Sequence, residues 1–410
     1  MAIPTNAGIR ERISLLICFV LGTLSGCSQS SVPVPDSRNS GSWDPKAAAA
    51  YLDYREGWWS EWTGSARDHG TYCVSCHTEL PYALARPALR GLLAEPTYTV
   101  NEQKLMDNVV KRVRLVKEVG PYYSSGGYDN KTGESRGTEA VLNAFILASH
   151  EAPSGKLSAD LRLAFNTMWA VQQSNGAWMW LQFDQEPWEA KDSGFYGATL
   201  AAMAVGVAPE NYAATPGIQE NLQRLGGYLN RESSAQSTIN RAFLLWASTK
   251  LPGLLAQPEQ QAILQEILKR QQSDGGWRLA SISWKWGGWT PKSLVNMWLR
   301  EDGTPMDGKS DGLATGLMTL VLEEAGVSDD NVQLERGLSW LAGHQDPTEG
   351  FWPASSVNKR RHMSSDTGRF MSDAATAFAV LALTESQRSV HRAAVVPDGR
   401  RPLSKFTSRN

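Results

Sequence analysis

Apolar and polar positions alternate between two kinds of segment along the 410-residue chain. One kind is amphipathic, with apolar residues recurring at three and four, over 46–62, 100–119, 158–173, 216–230, 258–272 and 328–344. Such a stripe buries one face of a helix and leaves the other in water. The other kind is apolar nearly all round and opens near residues 77, 137, 193, 236, 311 and 372, as in GFYGATLAAMAVG after Ser193. A helix without a polar face belongs inside, and a striped one belongs against it. The pattern therefore predicts an all-α body over 46–386, built of six helical hairpins with an inner ring inside an outer ring. Small residues on the inner set, such as Ala198, Ala201, Ala202, Ala374 and Ala375, allow those helices to approach closely.

Three of the turns repeat. Gln172-Gln173-Ser174-Asn175-Gly176-Ala177-Trp178 and Gln271-Gln272-Ser273-Asp274-Gly275-Gly276-Trp277 share a Gln, a Gly-rich turn and a Trp, and Gln345 to Trp352 is a looser copy. These turns absorb much of an unusual tryptophan content, 16 in all. The Gln…Gly-x-Trp turns and the hairpin alternation resemble the α/α toroid of the terpenoid cyclase and protein prenyltransferase superfamily, squalene–hopene cyclases in particular. The resemblance implies the fold. For chemistry it implies less, because one fold hosts many activities. Cyclases of this kind use an acid in an Asp-x-Asp-Asp motif, and at the matching place Phe370-Met371-Ser372-Asp373 keeps only the last Asp. The transferases bind zinc partly through Cys, and none follows residue 76. A cyclase or transferase would thus need an unorthodox acid, with Asp373, Asp311 and Asp192 as candidates because each precedes an inner helix. The alternative for all three is helix N-capping, worth ~1 kcal/mol each.

The chain begins with a different signature. Arg10 and Arg12 precede the apolar run Ile13 to Leu24, which is too short to span a bilayer. The run ends in Leu24-Ser25-Gly26-Cys27, which resembles a bacterial lipobox. Residues 1–26 accordingly read as a lipoprotein signal peptide and Cys27 as the lipidated residue. Residues 27–45 read as a Ser- and Pro-rich tether. Ser28 after the cysteine favours the outer membrane, so the expected location is exported and lipid-anchored at its periplasmic face. At the other end, 387–410 reads as a basic, disordered tail.

Of the four Cys, Cys18 lies in the signal and Cys27 at its end, leaving Cys73 and Cys76 in Cys73-Val74-Ser75-Cys76-His77. This is the sequence of a c-type haem attachment site, in which two thiols add to the haem vinyl groups and the imidazole ligates iron. A Cys73–Cys76 disulfide, or a zinc site using His69, Cys73, Cys76 and His77, are the competing readings. With haem c bound covalently and His77 proximal, the distal ligand is expected from a loop on the same side: His362, Met363, His344 or His69. The long insertion from Arg278 to Lys309, rich in Trp, reads as a lid over an apolar cavity or as packing.

The balance of 40 basic and 42 acidic residues leaves no field for a nucleic-acid backbone. Three functions follow as expectations. The first is an exported haem-c lipoprotein in electron transfer or redox chemistry at the mouth of an apolar cavity. Its partner would be a periplasmic electron donor or acceptor, or an apolar small molecule such as a terpenoid, quinone or lipid. The second is a terpenoid cyclase or transferase, and the third a non-enzymatic binding scaffold. If the protein is an enzyme, a haem-dependent oxidoreductase is expected ahead of an isoprenoid cyclase.

Overall fold

The computed structural model describes residues 42–119, 129–183, 185–283, 309–359 and 361–395. The signal segment, Cys27, most of the tether, the core of the Trp-rich insertion and the end of the basic tail lie outside the described residues. Within them the chain is all-α, with one two-residue antiparallel pairing, Ala66–Arg67 with Thr71–Tyr72. No described helix is long and apolar enough to cross a membrane.

Twelve principal helices occupy the described residues. Six are the amphipathic segments: α1 (Pro45–Glu61), α3 (Val100–Arg114), α5 (Ala159–Ala170), α7 (Gln219–Glu232), α9 (Gln257–Lys269) and α11 (Val332–Gly343). The other six are α2 (Glu79–Leu92), α4 (Asp129–Glu151), α6 (Ser193–Val207), α8 (Thr238–Lys250), α10 (Gly312–Glu324) and α12 (Phe370–Val395). The contrast in burial follows the sequence pattern. Residues Phe195 to Val205 of α6 are buried without a break, whereas α7 buries only Leu225 and Leu229.

Packing joins the even-numbered helices in series: α2 with α4, α4 with α6, α6 with α8, α8 with α10, α10 with α12, and α12 with α2. Each odd helix from α3 onward packs on the even helix before it, and α1 packs on both α2 and α12. The expected hairpins pair each amphipathic helix with the apolar helix after it. For α5, α7, α9 and α11 the stronger partner is instead the apolar helix before; after α5, α9 and α11 a Trp turn separates the odd helix from its successor. Two boundaries also differ from expectation. Helix α4 is already formed at Asp129 rather than opening near 137, and Gly137 lies inside it, where a Cβ would fall 2.1 Å from the Met179 carbonyl oxygen. Helix α12 continues to Val395, past the expected end of the body at 386.

The three Trp turns make the same hydrogen bonds. In each, a Gln side-chain amide donates to the carbonyl of its own turn glycine and to a carbonyl at the start of the next odd helix. Gln172 reaches Gly176 and Asn221 of α7, both at 3.1 Å, and Gln271 reaches Gly275 at 2.8 Å and Gln333 of α11 at 2.7 Å. Gln345 reaches Gly350 at 2.8 Å and Asp44, the cap of α1, at 2.9 Å. The glycines have φ of 99°, 96° and 79°, a region that excludes ordinary side chains. Each Trp is buried, and its Nε1 donates 2.8 Å to a carbonyl near the end of the preceding odd helix: Met168, Ile267 and Leu341. The repeat thus works as a clip between consecutive odd helices, and its third copy clips the last to the first.

Two outcomes are expected. Gln345→Ala strips donors from Gly350 and Asp44 and should lower the free energy of unfolding by about 1–3 kcal/mol, read by denaturant titration; an unchanged midpoint would mean that the clip does not bear on stability. Glu323 sits in the last turn of α10. Burial first, then the charges of Glu385, Asp329 and Glu324, raise its pKa from 4.5 to about 9. The folded state therefore holds a proton that the unfolded chain releases, so stability should fall as pH rises through that interval. Glu323→Gln should flatten that slope in thermal melts across the same range.

Candidate functional site

The Cys-x-x-Cys-His segment bridges the short strand pair and α2, and both ends of it are pinned. Ahead of it, Asn108 of α3 exchanges two hydrogen bonds with the backbone of Tyr72, each 3.0 Å. Trp59 Nε1 donates 2.8 Å to the Cys73 carbonyl. Between the cysteines, Ser75 Oγ accepts from Thr78 N at 3.1 Å, while Glu79 Oε2 accepts from Ser75 N at 2.7 Å. This reciprocal arrangement is a capping box in function, and it satisfies donors at the start of α2. The residues between the two cysteines are therefore structural.

Cys73 and Cys76 are free thiols. Burial pushes both pKa values up, that of Cys76 well above the usual thiol range, so both are held protonated. Among the described residues no group of three His, Cys, Asp or Glu side chains is placed to share a metal ion. His69, an arm of the zinc reading, is solvent-exposed with φ of 58°.

His77 is buried, stacked on Phe370 at 3.9 Å between ring centroids and meeting the edge of Trp59 at 5.1 Å. Burial, followed by the charges of Arg361 and Arg55, holds its pKa well below the usual imidazole range, so the ring is neutral. Its Nδ1 lies 2.9 Å from Thr78 Oγ1, which itself donates 2.8 Å to Asp373 Oδ2. With the Thr78 proton committed to the carboxylate, Nδ1 must carry the imidazole proton and donate it, which leaves the lone pair on Nε2.

Asp373 is a hub and not a cap. Helix α12 starts at Phe370, so Asp373 lies within its first turn. Arg55 of α1 pairs with it at two points, Nε to Oδ1 at 2.7 Å and Nη2 to Oδ2 at 3.0 Å, and Tyr51 donates 2.8 Å to Oδ1. Both Arg55 and Asp373 are sealed from solvent, at 0% and 1% exposure. Burial pushes the carboxyl pKa up, but a proton on either oxygen would displace a donor, and the guanidinium favours the anion. This geometry does not suit an acid that protonates an alkene. Asp311 is an N-cap in fact: Oδ1 accepts 2.9 Å from Ala314 N and Oδ2 accepts from Leu279 N, while burial raises its pKa to about 6. Asp192 occupies the N-cap position of α6 without a side-chain cap bond; Ser193 Oγ instead joins Ala190 N at 2.8 Å to the Pro187 carbonyl at 3.1 Å.

Cys73, Cys76 and His77 line one cavity of about 290 Å³. Trp59, Trp62 and Phe370 give it an aromatic flank, and Arg67, Lys359 and Arg361 give it cations. Leu181, Phe183, Gln185 and Glu189 line a further side, and Gln185 and Glu189 form an isolated antiparallel bridge. The loop holding them is tied to the loop carrying the cations by Glu186 N donating 3.0 Å to Asn358 Oδ1. A wider groove of about 960 Å³ lies between the end of α1 and α3, but no Cys or His lines it.

None of the four distal candidates lines the cavity. His362 is exposed, with Nδ1 2.7 Å from Ser364 Oγ, and Met363 Sδ accepts from Ser355 Oγ at 3.4 Å. His344 stacks on Trp340 and places Nδ1 2.7 Å from its carbonyl oxygen, at the end of α11. His69 ends up on the exposed turn before Thr71. Sequence reasoning overlooked Arg55, Thr78, Phe370, Gln185 and Glu189. Only Arg55 carried a signal, as a charge on the face of α1 that also holds Ala48, Tyr51, Leu52 and Trp59, all buried. Comparison with known proteins finds no matching family model and no matching curated protein.

Replacing Arg55 by Met strands a buried carboxylate and should cost about 3–5 kcal/mol, with Arg55→Met/Asp373→Leu recovering most of it. Equilibrium unfolding of the two single variants and the double closes the cycle. Additive losses would show that the two side chains do not act as a pair.

Proposed function

We propose that this protein carries a covalent haem c on Cys73, Cys76 and His77, within an α/α toroid of six helix pairs, and works in electron transfer or redox chemistry. The observation that carries the reading is that both thiols and His77 line one cavity, with Nδ1 engaged and Nε2 left without a hydrogen bond among the described residues. Attachment needs no outside oxidant: each S–H adds across one vinyl C=C, sulfur to one carbon and hydrogen to the other. The residues present suit such a group. Trp59, Trp62 and Phe370 offer flat apolar surface, and Arg67, Lys359 and Arg361 offer partners for its carboxylates. The Thr78–Asp373 link fixes the tautomer and ring orientation of His77, as partners behind a ligating imidazole do. A bound haem supplies one-electron exchange or ligand binding at iron. The cavity, about 290 Å³, is at the small end for a ligand site, so these residues would cover such a group only in part.

The toroid is supported by the serial packing of the even helices back to α2 and by the bond from Gln345 to Asp44. Export and lipidation at Cys27 rest on the leader sequence, and they agree with the haem motif because c-type attachment takes place outside the cytoplasm. A cyclase reading is disfavoured by the full set of donors on Asp373.

The test is a reduced-minus-oxidised absorption spectrum with intact mass of the mature, exported protein. A c-type spectrum and a mass raised by one haem are expected, both lost in Cys73→Ala/Cys76→Ala. A colourless protein of unmodified mass, made alongside a functioning c-haem maturation system, would sink the proposal.

A further inference from the structure

Away from the Cys-x-x-Cys-His segment, α3, α4 and α5 enclose another cavity, of about 330 Å³. Its apolar lining is aliphatic: Val113 of α3 and Val116 just beyond it, Ala140 of α4, Ala164 of α5 and Val171 just beyond that helix. Ala140 and Ala164 are buried and stand where larger side chains would fill the space. Protein interiors are close-packed, with few voids larger than a water molecule, so helix packing alone does not account for a space of this size.

One polar atom in its wall has no protein partner. Asn143 is only 4% exposed, and its Oδ1 is buried with no hydrogen-bond donor among the described residues. Its Nδ2 donates to Glu139 Oε1 at 3.4 Å, which orients the amide so that Oδ1 is the atom left over. Glu139 is held in turn by Arg112, through Nη2 to Oε2 at 2.7 Å and through Nε to Oε1. Arg136 donates 2.8 Å to the Val116 carbonyl, and Lys117 is exposed at the rim. Residues 136, 139, 140 and 143 recur at three and four along α4, so one stripe of the helix presents charge, an apolar step and the free acceptor to one space. Buried acceptors left without a donor are costly and rare in folded proteins.

We propose that this cavity is a binding site for a small uncharged molecule with an apolar body and one hydroxyl, the hydroxyl donating to Asn143 Oδ1. Charge selects the class. An anion would bring acceptor oxygens to Asn143 Oδ1 and Glu139 and leave its own charge without a free donor inside. A cation would meet Arg112, Arg136 and Lys117. A neutral donor meets neither penalty. The volume of about 330 Å³ is near the lower end for ligand sites, which suits a body of one or two rings or a chain of similar bulk. The site is independent of the haem reading, since none of the described residues lining it lines the Cys73 cavity.

Calorimetric titration of the mature full-length protein compares 2-naphthol, which can donate, with 2-methoxynaphthalene, which has the same rings and can only accept. Wild type should bind 2-naphthol about tenfold more tightly than the ether. Asn143→Leu, close in volume and without the acceptor, should bring the two affinities to within about twofold of each other. Ala164→Leu, which fills the cavity, should abolish binding of both probes and serves if the Asn143 variant does not fold. Equal affinities in the wild type would mean that water serves Oδ1, and would overturn the inference. So would 2-naphthol binding that survives Ala164→Leu unchanged, which would put the probe elsewhere on the protein, or the absence of any saturable binding.

Discussion

Asp373 accepts hydrogen bonds from Arg55, Tyr51 and Thr78, which are 318, 322 and 295 residues away in the chain. These contacts join the first helix, the last helix and the residue next to His77. Burying a carboxylate and a guanidinium costs several kcal/mol per ion, and a pair returns that only with good geometry and every remaining polar atom satisfied. Here the geometry is two-point, and Arg55 also bonds Asp366 through Nη1 to Oδ1 at 2.9 Å and through Nη2 to the carbonyl at 2.7 Å. The arrangement forms only if α1 and α12 meet at one register. It therefore selects the closure of the chain more than it stabilises it, and the same register fixes His77.

Closure has a second, independent device at the turns. The Gln–Gly–Trp clip joins α5 to α7, α9 to α11 and α11 to α1, and each copy uses one glycine with positive φ, one Gln and one Trp. Joins between odd helices without the clip use charged pairs, such as Glu61 of α1 with Lys104 of α3 and Arg114 of α3 with Asp160 of α5. The difference is physical. A clip fixes the distance between neighbouring odd helices through neutral bonds to backbone, while the ion pairs lie partly in water and constrain less.

The helices were legible in the sequence because apolar-all-round and striped segments differ in period content, and observed starts mostly fall within two or three residues of those expected. The first turns of α4 were not, because Gly137 reads locally as a break, whereas it stands inside the helix to admit the Met179 backbone. The thiol pair, His77 and the capping role of Asp311 were also legible, each resting on residues near in sequence. Asp373 was found for the wrong reason. Ser372-Asp373 looks like a cap, whereas the helix already starts at Phe370, which stacks on His77. Arg55 showed only as a charge on the apolar face of α1 and Glu189 had no local pattern, since their roles depend on partners supplied by distant chain. The distal candidates were chosen by side-chain type; the loop instead turns Lys359 and Arg361 to the cavity and leaves His362 in water.

These constraints converge on the short run from Cys73 to Glu79. Its backbone is held by Trp59 and Asn108, its interior by Ser75 and Glu79, and its imidazole by Thr78 and Asp373. A segment so fixed has little conformational freedom left to lose, so a group that bound there would spend little binding energy on ordering these side chains. The side lined by Gln185 and Glu189 is different in kind: a two-residue bridge holds them in place, and Gln185 Nε2 is buried with no partner among the described residues. One side of the cavity is complete within the protein, and the other has polar groups whose partners the described chain does not provide.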